Sequence, residues 1–190
     1  MIECEGIGKE PEQEKRVIFN DTDVLSSFLC VNSFKTVLDV FEHKRYKMVV
    51  PLVVLDELKA TDRTRQLLAK PIEAEIRKGT INTEDIMLGT EEFDTYMEFK
   101  NGQGLGDGEA AALSLAIHTP KAAIASNNLR DVKKTVDDYH LELWTVPDII
   151  HYAKEHSIIT ENRAGMLWKK MVQHGRRLPY NTYEEYLLKL

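Results

Sequence analysis

Val17-Ile18-Phe19-Asn20-Asp21-Thr22-Asp23-Val24-Leu25 decides how the rest of the chain is read. Three apolar, β-prone residues stop at a cluster of Asn and Asp; helical spacing then runs from Val24 to Glu42, with a break near Asn32-Ser33. Branched and aromatic side chains suit a buried, pleated strand, whereas short polar ones compete for the backbone and end it. The segment is therefore a strand–turn–helix unit. Similar apolar runs recur at Met48-Val49-Val50, Thr80-Ile81-Asn82, Ala122–Ala125 and Leu141–Trp144. Helical patterns lie between them. One follows Val53 and carries Asp56 and Glu57, Thr61–Lys78 has Pro71 as a joint or kink, and Glu91–Lys100 is amphipathic. Glu109–His118 is rich in Ala and Leu, and a further helix follows Asn128 to about Tyr139. Short strands alternating with helices predict an α/β domain with a mainly parallel central sheet. From Pro147 onward the pattern is helical, over Ile149–His156, Thr160–Gly175 and Tyr183–Leu188.

The 190 residues include 25 Lys plus Arg and 31 Asp plus Glu, a formal charge of −6. A chain of this length buries roughly 70% of its unfolded surface on folding and needs neither disulfides nor a structural metal. The acid excess argues against a passive nucleic-acid coat protein, but not against an enzyme acting on nucleic acid. Charge is uneven: residues 1–150 hold 27 acids and 18 bases, residues 151–190 hold 4 acids and 7 bases. Cys4 and Cys30 form no CxxC pair, and no Cys/His spacing suits zinc. Sparse cysteine and the lack of a membrane-length apolar run point to a cytoplasmic chain. Met1–Arg16 alternates acids with Gly and Pro, lacks a signal-peptide core, and reads as a loose tail. The expected organisation is a tail over 1–15, an α/β domain over 16–146, and a helical extension over 147–190. That extension packs on the same domain or on a partner, a second copy of the chain included.

In open α/β sheets, ligands collect beyond the carboxyl ends of the strands. Asp21 and Asp23 follow the first apolar run, and Glu57 lies one helical turn after the second. Asp107 and Glu109 open the Ala/Leu helix, and Asn128 and Asp131 follow the Ala-rich strand. Four segments thus deliver acids or an amide toward one edge. Crowded carboxylates raise one another's pKa unless a cation sits between them. Oxygen ligands without Cys or His select Mg2+ or Mn2+. Such a site suits metal-dependent phosphodiester hydrolysis.

Local sequence narrows the family. Val17–Leu25 resembles the opening strand of PIN-domain nucleases, an apolar run ending in Asp-Thr-x-Val-Leu. Val50-Pro51-Leu52-Val53-Val54-Leu55-Asp56-Glu57-Leu58 is similar to their second motif, and Gly106-Asp107-Gly108-Glu109-Ala110-Ala111-Ala112-Leu113 to their third. Ala123–Asp131 occupies the place of the fourth, and Val146–Asn162 is similar to the helical extension of some bacterial and archaeal members. The resemblance covers about residues 16–175. It implies a three-layer α/β/α domain with a C-terminal helical extension, and an endoribonuclease that uses Mg2+ or Mn2+ on RNA. It implies Asp21, Glu57 and Glu109 as metal ligands and catalytic acids, with Asp107 as substitute or neighbour of Glu109. Small stand-alone members are often toxins, which makes an antitoxin protein an expected partner. Many members have Asp where this chain has Asn128, a weaker cation ligand; Asp131, about one helical turn on, is placed to compensate.

Other roles compete for the same residues. Asp21 and Asp107 suit N-cap positions, Asp23 and Glu109 the first-turn dipole, and Asn128 and Asp131 capping or plain solvation. Asp56 and Glu57 point to different sides of a helix, and the resemblance favours Glu57. The Gly102–Gly108 loop lacks GK[ST] and fits no GxGxxG register, so it reads as a flexible helix entry. Trp144 and Trp168 read as packing residues. Arg63, Arg65, Arg130, Lys133, Lys134, Lys169, Lys170, Arg176 and Arg177 are candidates for phosphate contact, or simply solvated cations. Two rival functions remain. Asp21-x-Asp23 also resembles the nucleophile motif of haloacid-dehalogenase-type phosphatases, with Asp21 as nucleophile and Asp23 as acid; that family needs a late strand ending in an acidic pair, and here Asp137-Asp138 sits inside a helical pattern. The other rival is a degenerate PIN fold that binds RNA or protein without cutting.

Overall fold

The computed structural model describes residues 14–20, 22–60 and 63–190, with the backbone alone for 63–65. The sheet has the order β3-β2-β1-β4-β5, built from β1 (Lys15–Phe19), β2 (Tyr46–Pro51), β3 (Ile81–Glu84), β4 (Ala122–Ala125) and β5 (Glu142–Trp144). Every pairing is parallel, with Val17 opposite both Met48 and Ala123. Strand β1 is central because its two faces are both apolar: Val17 and Phe19 alternate with Ile18, and all three are fully buried.

The chain leaves β1, adds β2 and then β3 on one side, and crosses back to lay β4 on the other. The direction of winding therefore reverses between β1 and β4. At such a switch point the connections at the strand ends diverge and open a crevice. Asn20 follows β1 there, and Ser126–Asn128 follow β4. The backbone N–H of Asn20 donates to the Ala125 carbonyl at 3.0 Å, which holds the two ends together.

Alternation along the strands sorts the helices into two layers. Val17, Phe19, Met48, Val50, Ile81, Ala123, Ala125 and Trp144 face one core. Against it pack α1 (Thr22–Leu29), α2 (Phe34–His43), α3 (Leu52–Ala60) and α4 (Arg63–Lys78). Ile18, Val49, Ile124 and Leu143 face the other core, beneath Phe99, α6 (Asp107–His118) and α7 (Leu129–Asp138). Helix α5 (Glu91–Glu98) lies beside α6. Helix α6 is buried almost throughout from Ala110 to Ala116, as expected for a helix apolar on all sides. The result is a three-layer α/β/α domain.

The C-terminal helices α8 (Val146–Glu155), α9 (Glu161–Gln173) and α10 (Tyr183–Leu187) contribute to the first of these cores. Thr145 and Asp148 form a reciprocal capping box at the start of α8, with Pro147 in its first turn. Leu167, Trp168 and Met171 of α9 are fully buried, while Met166 is exposed. Among the described residues no single helix is long and apolar enough to cross a membrane.

Two local expectations are sharpened. Pro71 neither ends nor divides α4, which runs unbroken from Arg63 to Lys78. Pro71 and Leu67 lie on the exposed side, where the Leu67 carbonyl that the proline cannot serve is open to solvent. The glycine-rich entry to α6 is only partly a loop. Residues Phe99–Gln103 form a π-helical turn that extends α5, Gly104 reverses the chain, and Gly106 takes the N-cap. Asp107 is therefore the first residue of α6 and not its cap.

Candidate active site at the sheet switch point

Helices α3 and α6 meet at the carboxyl edge of the sheet, and the meeting depends on Gly108. A Cβ at that position would stand 3.1 Å from Glu57 Oε2 and 3.1 Å from Val54 Cγ2. With glycine there, the backbone N–H of Gly108 donates to Glu57 Oε1 at 3.2 Å. The first-turn amide of α6 thus anchors a carboxylate from α3, as a helix N-terminus favours. Asp56, by contrast, is exposed and pairs with Lys59 at 3.9 Å on the same helix.

Glu109 sits one residue further along α6 and reaches α7. Asn128 donates from Nδ2 to Glu109 Oε1 and to Asp131 Oδ2, both at 2.6 Å. The backbone N–H of Asn128 donates to Ser126 Oγ at 3.1 Å, and Asn20 Nδ2 reaches the same oxygen at 3.4 Å. Asn128 is the N-cap residue of α7 in position but makes no side-chain capping bond. Its amide is spent on two acids instead.

Electrostatics follow the geometry. Burial of the carboxylate raises the Glu57 pKa first, and the charges of Asp107 and Glu109 add to it, against the opposing Gly108 hydrogen bond. The residue as a whole still keeps an exposed surface, so solvent screening limits the effect. Asp107 moves the other way. Lys100 Nζ lies 2.7 Å from its carboxylate and the Tyr96 hydroxyl 3.3 Å away, and the Lys100 contact holds its pKa below the usual value.

The raised Glu57 pKa has a consequence for stability. A group more basic folded than unfolded stabilises fully below its unfolded pKa, near 4.5, and loses that contribution as pH rises through the folded value. Glu57→Gln should therefore raise the melting temperature of the metal-free protein by about 1–3 °C at neutral pH. The gain should vanish below about pH 4, where the glutamate is neutral in both states. Thermal melts in EDTA across that range measure it; an unchanged or lower melting temperature at pH 7 contradicts the account.

The site residues expected from sequence fall into three groups. Glu57, Glu109, Asn128 and Asp131 are brought together at the β1/β4 edge by α3, α6 and α7. Asp107 stands beside them but is engaged with Lys100. Asp21 lies outside the described residues, as do Thr61 and Asp62. The donors are oxygens throughout, the chemistry that suits a hard divalent cation. Fully buried Asn20 adds an Oδ1 with no hydrogen-bond donor among the described residues, a further oxygen at the end of β1. Among the described residues no three acids or histidines come together closely enough to hold an ion by themselves.

Several residues could not be singled out before the helices were packed. Gly108 was visible only as part of a motif, because its role is a close approach by α3. Lys100 decides the fate of Asp107 from seven residues upstream, in a π-helical turn that no periodicity signals. Asn127 accepts from the backbone N–H of Val146 at 2.9 Å and fastens the β4 turn to α8. A cleft of about 630 Å3 opens beside the acids, lined by Asp23, Glu109, Asn127, Asn128, Arg176 and Arg177 among others. Of the cations expected to contact phosphate, Arg176 and Arg177 reach this cleft, while Lys133 pairs with Asp137 at 2.8 Å. The Asp137-Asp138 pair lies in the last turn of α7 and not after a strand, which removes the element the phosphatase reading required.

Fold and site define an α/β protein with acids gathered at the switch point of a parallel sheet, a nuclease-type architecture. The chain belongs to the PIN-domain family: a family profile described as a PIN domain matches residues 17–190, the C-terminal helices included. PIN domains are generally nucleases and typically use divalent metals. No curated protein matches the chain.

Proposed function

We propose that the protein is an Mg2+- or Mn2+-dependent endoribonuclease that hydrolyses phosphodiester bonds in RNA. The observation that carries this reading is the convergence of Glu57, Glu109 and the Asn128–Asp131 pair, from three separate helices, on one edge of the sheet. Glu57 and Glu109 would hold the ion, with Asp21 contributing as the family motif implies. When bound, the ion lowers the pKa of a coordinated water and stabilises charge developing on the phosphate.

The chain's own residues prepare this chemistry. The Gly108 N–H keeps Glu57 aimed from α3, and burial, with the charges of Asp107 and Glu109 adding to it, raises the Glu57 pKa, a cost to the bare carboxylate that a cation would relieve. Asn128 holds Glu109 and Asp131 in fixed relation, so neither carboxylate must be ordered when substrate arrives. Lys100 pairs with Asp107 and offsets one negative charge beside the path of the incoming phosphate. Incubation of labelled single-stranded RNA with the protein should yield cut products in Mn2+ and none in EDTA. Equal product in both overturns the reading.

The Asn128 amide also favours a second reading, in which the fold binds RNA or a protein partner without cutting. An amide that donates to two carboxylates does part of a cation's work and competes with it. Calorimetric titration separates the two. The nuclease reading expects the wild-type protein to bind Mn2+ at millimolar concentration or below, and Asn128→Asp to bind it about 10–100-fold more tightly. No wild-type binding at millimolar Mn2+ favours the binding module.

A further inference from the structure

The cleft beside the acids has a basic wall that comes from the far end of the chain. Helix α9 ends in a Schellman motif: the Gly175 N–H donates to the Val172 carbonyl at 2.9 Å and the Arg176 N–H to the Met171 carbonyl at 3.0 Å. Gly175 has φ +76°, a left-handed conformation that L side chains adopt only with strain. The turn is therefore set by hydrogen bonds and by glycine, and it delivers Arg176 and Arg177 into the cleft on a fixed backbone. Both line it together with Glu109 and Asn128.

These two cations have little to hold. Arg176 lies 3.8 Å from Asp23, itself largely exposed, and its Nε has no hydrogen-bond partner among the described residues. A pair this long, with its acid largely exposed, is worth little and exchanges readily for a better anion. Arg177 is exposed and also lines an adjoining groove of about 530 Å3, which shares Asn127 with the first cleft. That groove is floored by Leu129, Leu143, Leu178 and Pro179, an apolar surface suited to a base rather than a phosphate. A strand passing from one cleft to the other must run past Arg177.

We propose that Arg176 and Arg177 grip consecutive backbone phosphates of a single-stranded RNA, Arg176 at the acid site and Arg177 at the mouth of the apolar groove. This rests on the nuclease reading above and names the residues that hold its substrate. An acidic site repels a polyanion, and two guanidiniums across the cleft offset that repulsion. Their planar donor forks suit phosphate oxygens better than an ammonium does.

The test is binding of a fluorescein-labelled single-stranded RNA of about ten nucleotides, measured by anisotropy in EDTA over a range of salt. Arg176→Gln and Arg177→Gln should each weaken binding several-fold. The double variant should flatten the plot of log affinity against log salt by about 1.4, at about 0.7 per lost phosphate contact. Lys169→Gln/Lys170→Gln, on the exposed side of α9, should leave the slope unchanged within about 0.3. Arg177→Lys should retain most of the slope, because it keeps the charge. Arg177 is exposed, so its single substitution reports on binding without a cost in folding. Wild-type affinity and slope in the double arginine variant overturn the proposal while cleavage in Mn2+ still upholds the nuclease. Failure of the wild-type protein both to bind and to cut RNA overturns the two together.

Discussion

Glu109→Gln should lower the rate of RNA cleavage in Mn2+ by roughly a thousandfold, the scale on which losing one stabiliser of transition-state charge is felt. The substitution keeps size and shape and removes only the charge. A glutamine oxygen can still accept from the Asn128 amide, so the contact now made at 2.6 Å survives. Folding should therefore be nearly unaffected, with a melting temperature within about 2 °C of wild type. Metal binding should weaken, because one of the two described carboxylates that would hold the ion has become a poor ligand. Single-turnover cleavage and calorimetry with Mn2+ measure the two effects side by side. If the variant cuts as fast as wild type, Glu109 is not part of the active site, and the convergence of α3, α6 and α7 has another purpose.

Trp168→Ala should be the most damaging single change to the fold, costing about 3–5 kcal/mol. Trp168 is fully buried in the middle of α9. Its indole N–H donates to the Tyr180 carbonyl at 2.9 Å, and its ring lies 5.1 Å from that of Tyr186 and 5.7 Å from that of Tyr183. Burial pushes the hydroxyls of both tyrosines up to about 12, so they stay neutral through the physiological range. One side chain thus ties α9, the following loop and α10 into the core that also holds β1 and α2. The alanine variant should melt roughly 6–20 °C lower, at about 2–4 °C per kcal/mol for a chain of this size. Trp168→Phe should recover a large part of the loss, because one aromatic ring still packs there, while the indole hydrogen bond and part of the buried volume remain missing. A drop of less than about 3 °C for alanine would mean that the helices after β5 are not integral to the domain's stability.

Trp168 also bears on the site. The Schellman turn that presents Arg176 and Arg177 hangs from the last turn of α9, two turns after this residue. Loosening the helix should free the arginines from the cleft before the sheet itself is disturbed. In a partly destabilised Trp168 variant, RNA affinity is therefore expected to fall ahead of metal affinity.

Much of the fold was legible because its signals are local. The inner strands β1, β2 and β4 each carry a short apolar run bounded by residues that cannot continue it, and the break expected near Asn32-Ser33 is where α1 gives way to α2. Glu57 and Glu109 were legible for a related reason: each is tied by its motif to a strand end or a helix start, and a parallel sheet sends all such points to one edge. Asn128 could be flagged as a departure from the family pattern, but not given its role. Capping, solvation and ligation are equally available to an Asn at that position, and only the placement of α6 against α7 selects among them. Asp107 shows the same limit. Nothing in the Gly-rich stretch indicates that α5 would continue as a π-helical turn and carry Lys100 to its side.

Sequence alone thus determined the parallel α/β class, the order of the elements and the acids at their ends, since these follow from periodicity and local chemistry. Tertiary structure decided which polar groups meet. Gly108 against Glu57, Asn128 between Glu109 and Asp131, and Arg176–Arg177 across the cleft all join residues far apart in the chain. A local pattern can say that a side chain is free to act. Its partner depends on how helices pack on a twisted sheet, where a shift of an ångström brings an amide to a carboxylate or leaves both to water.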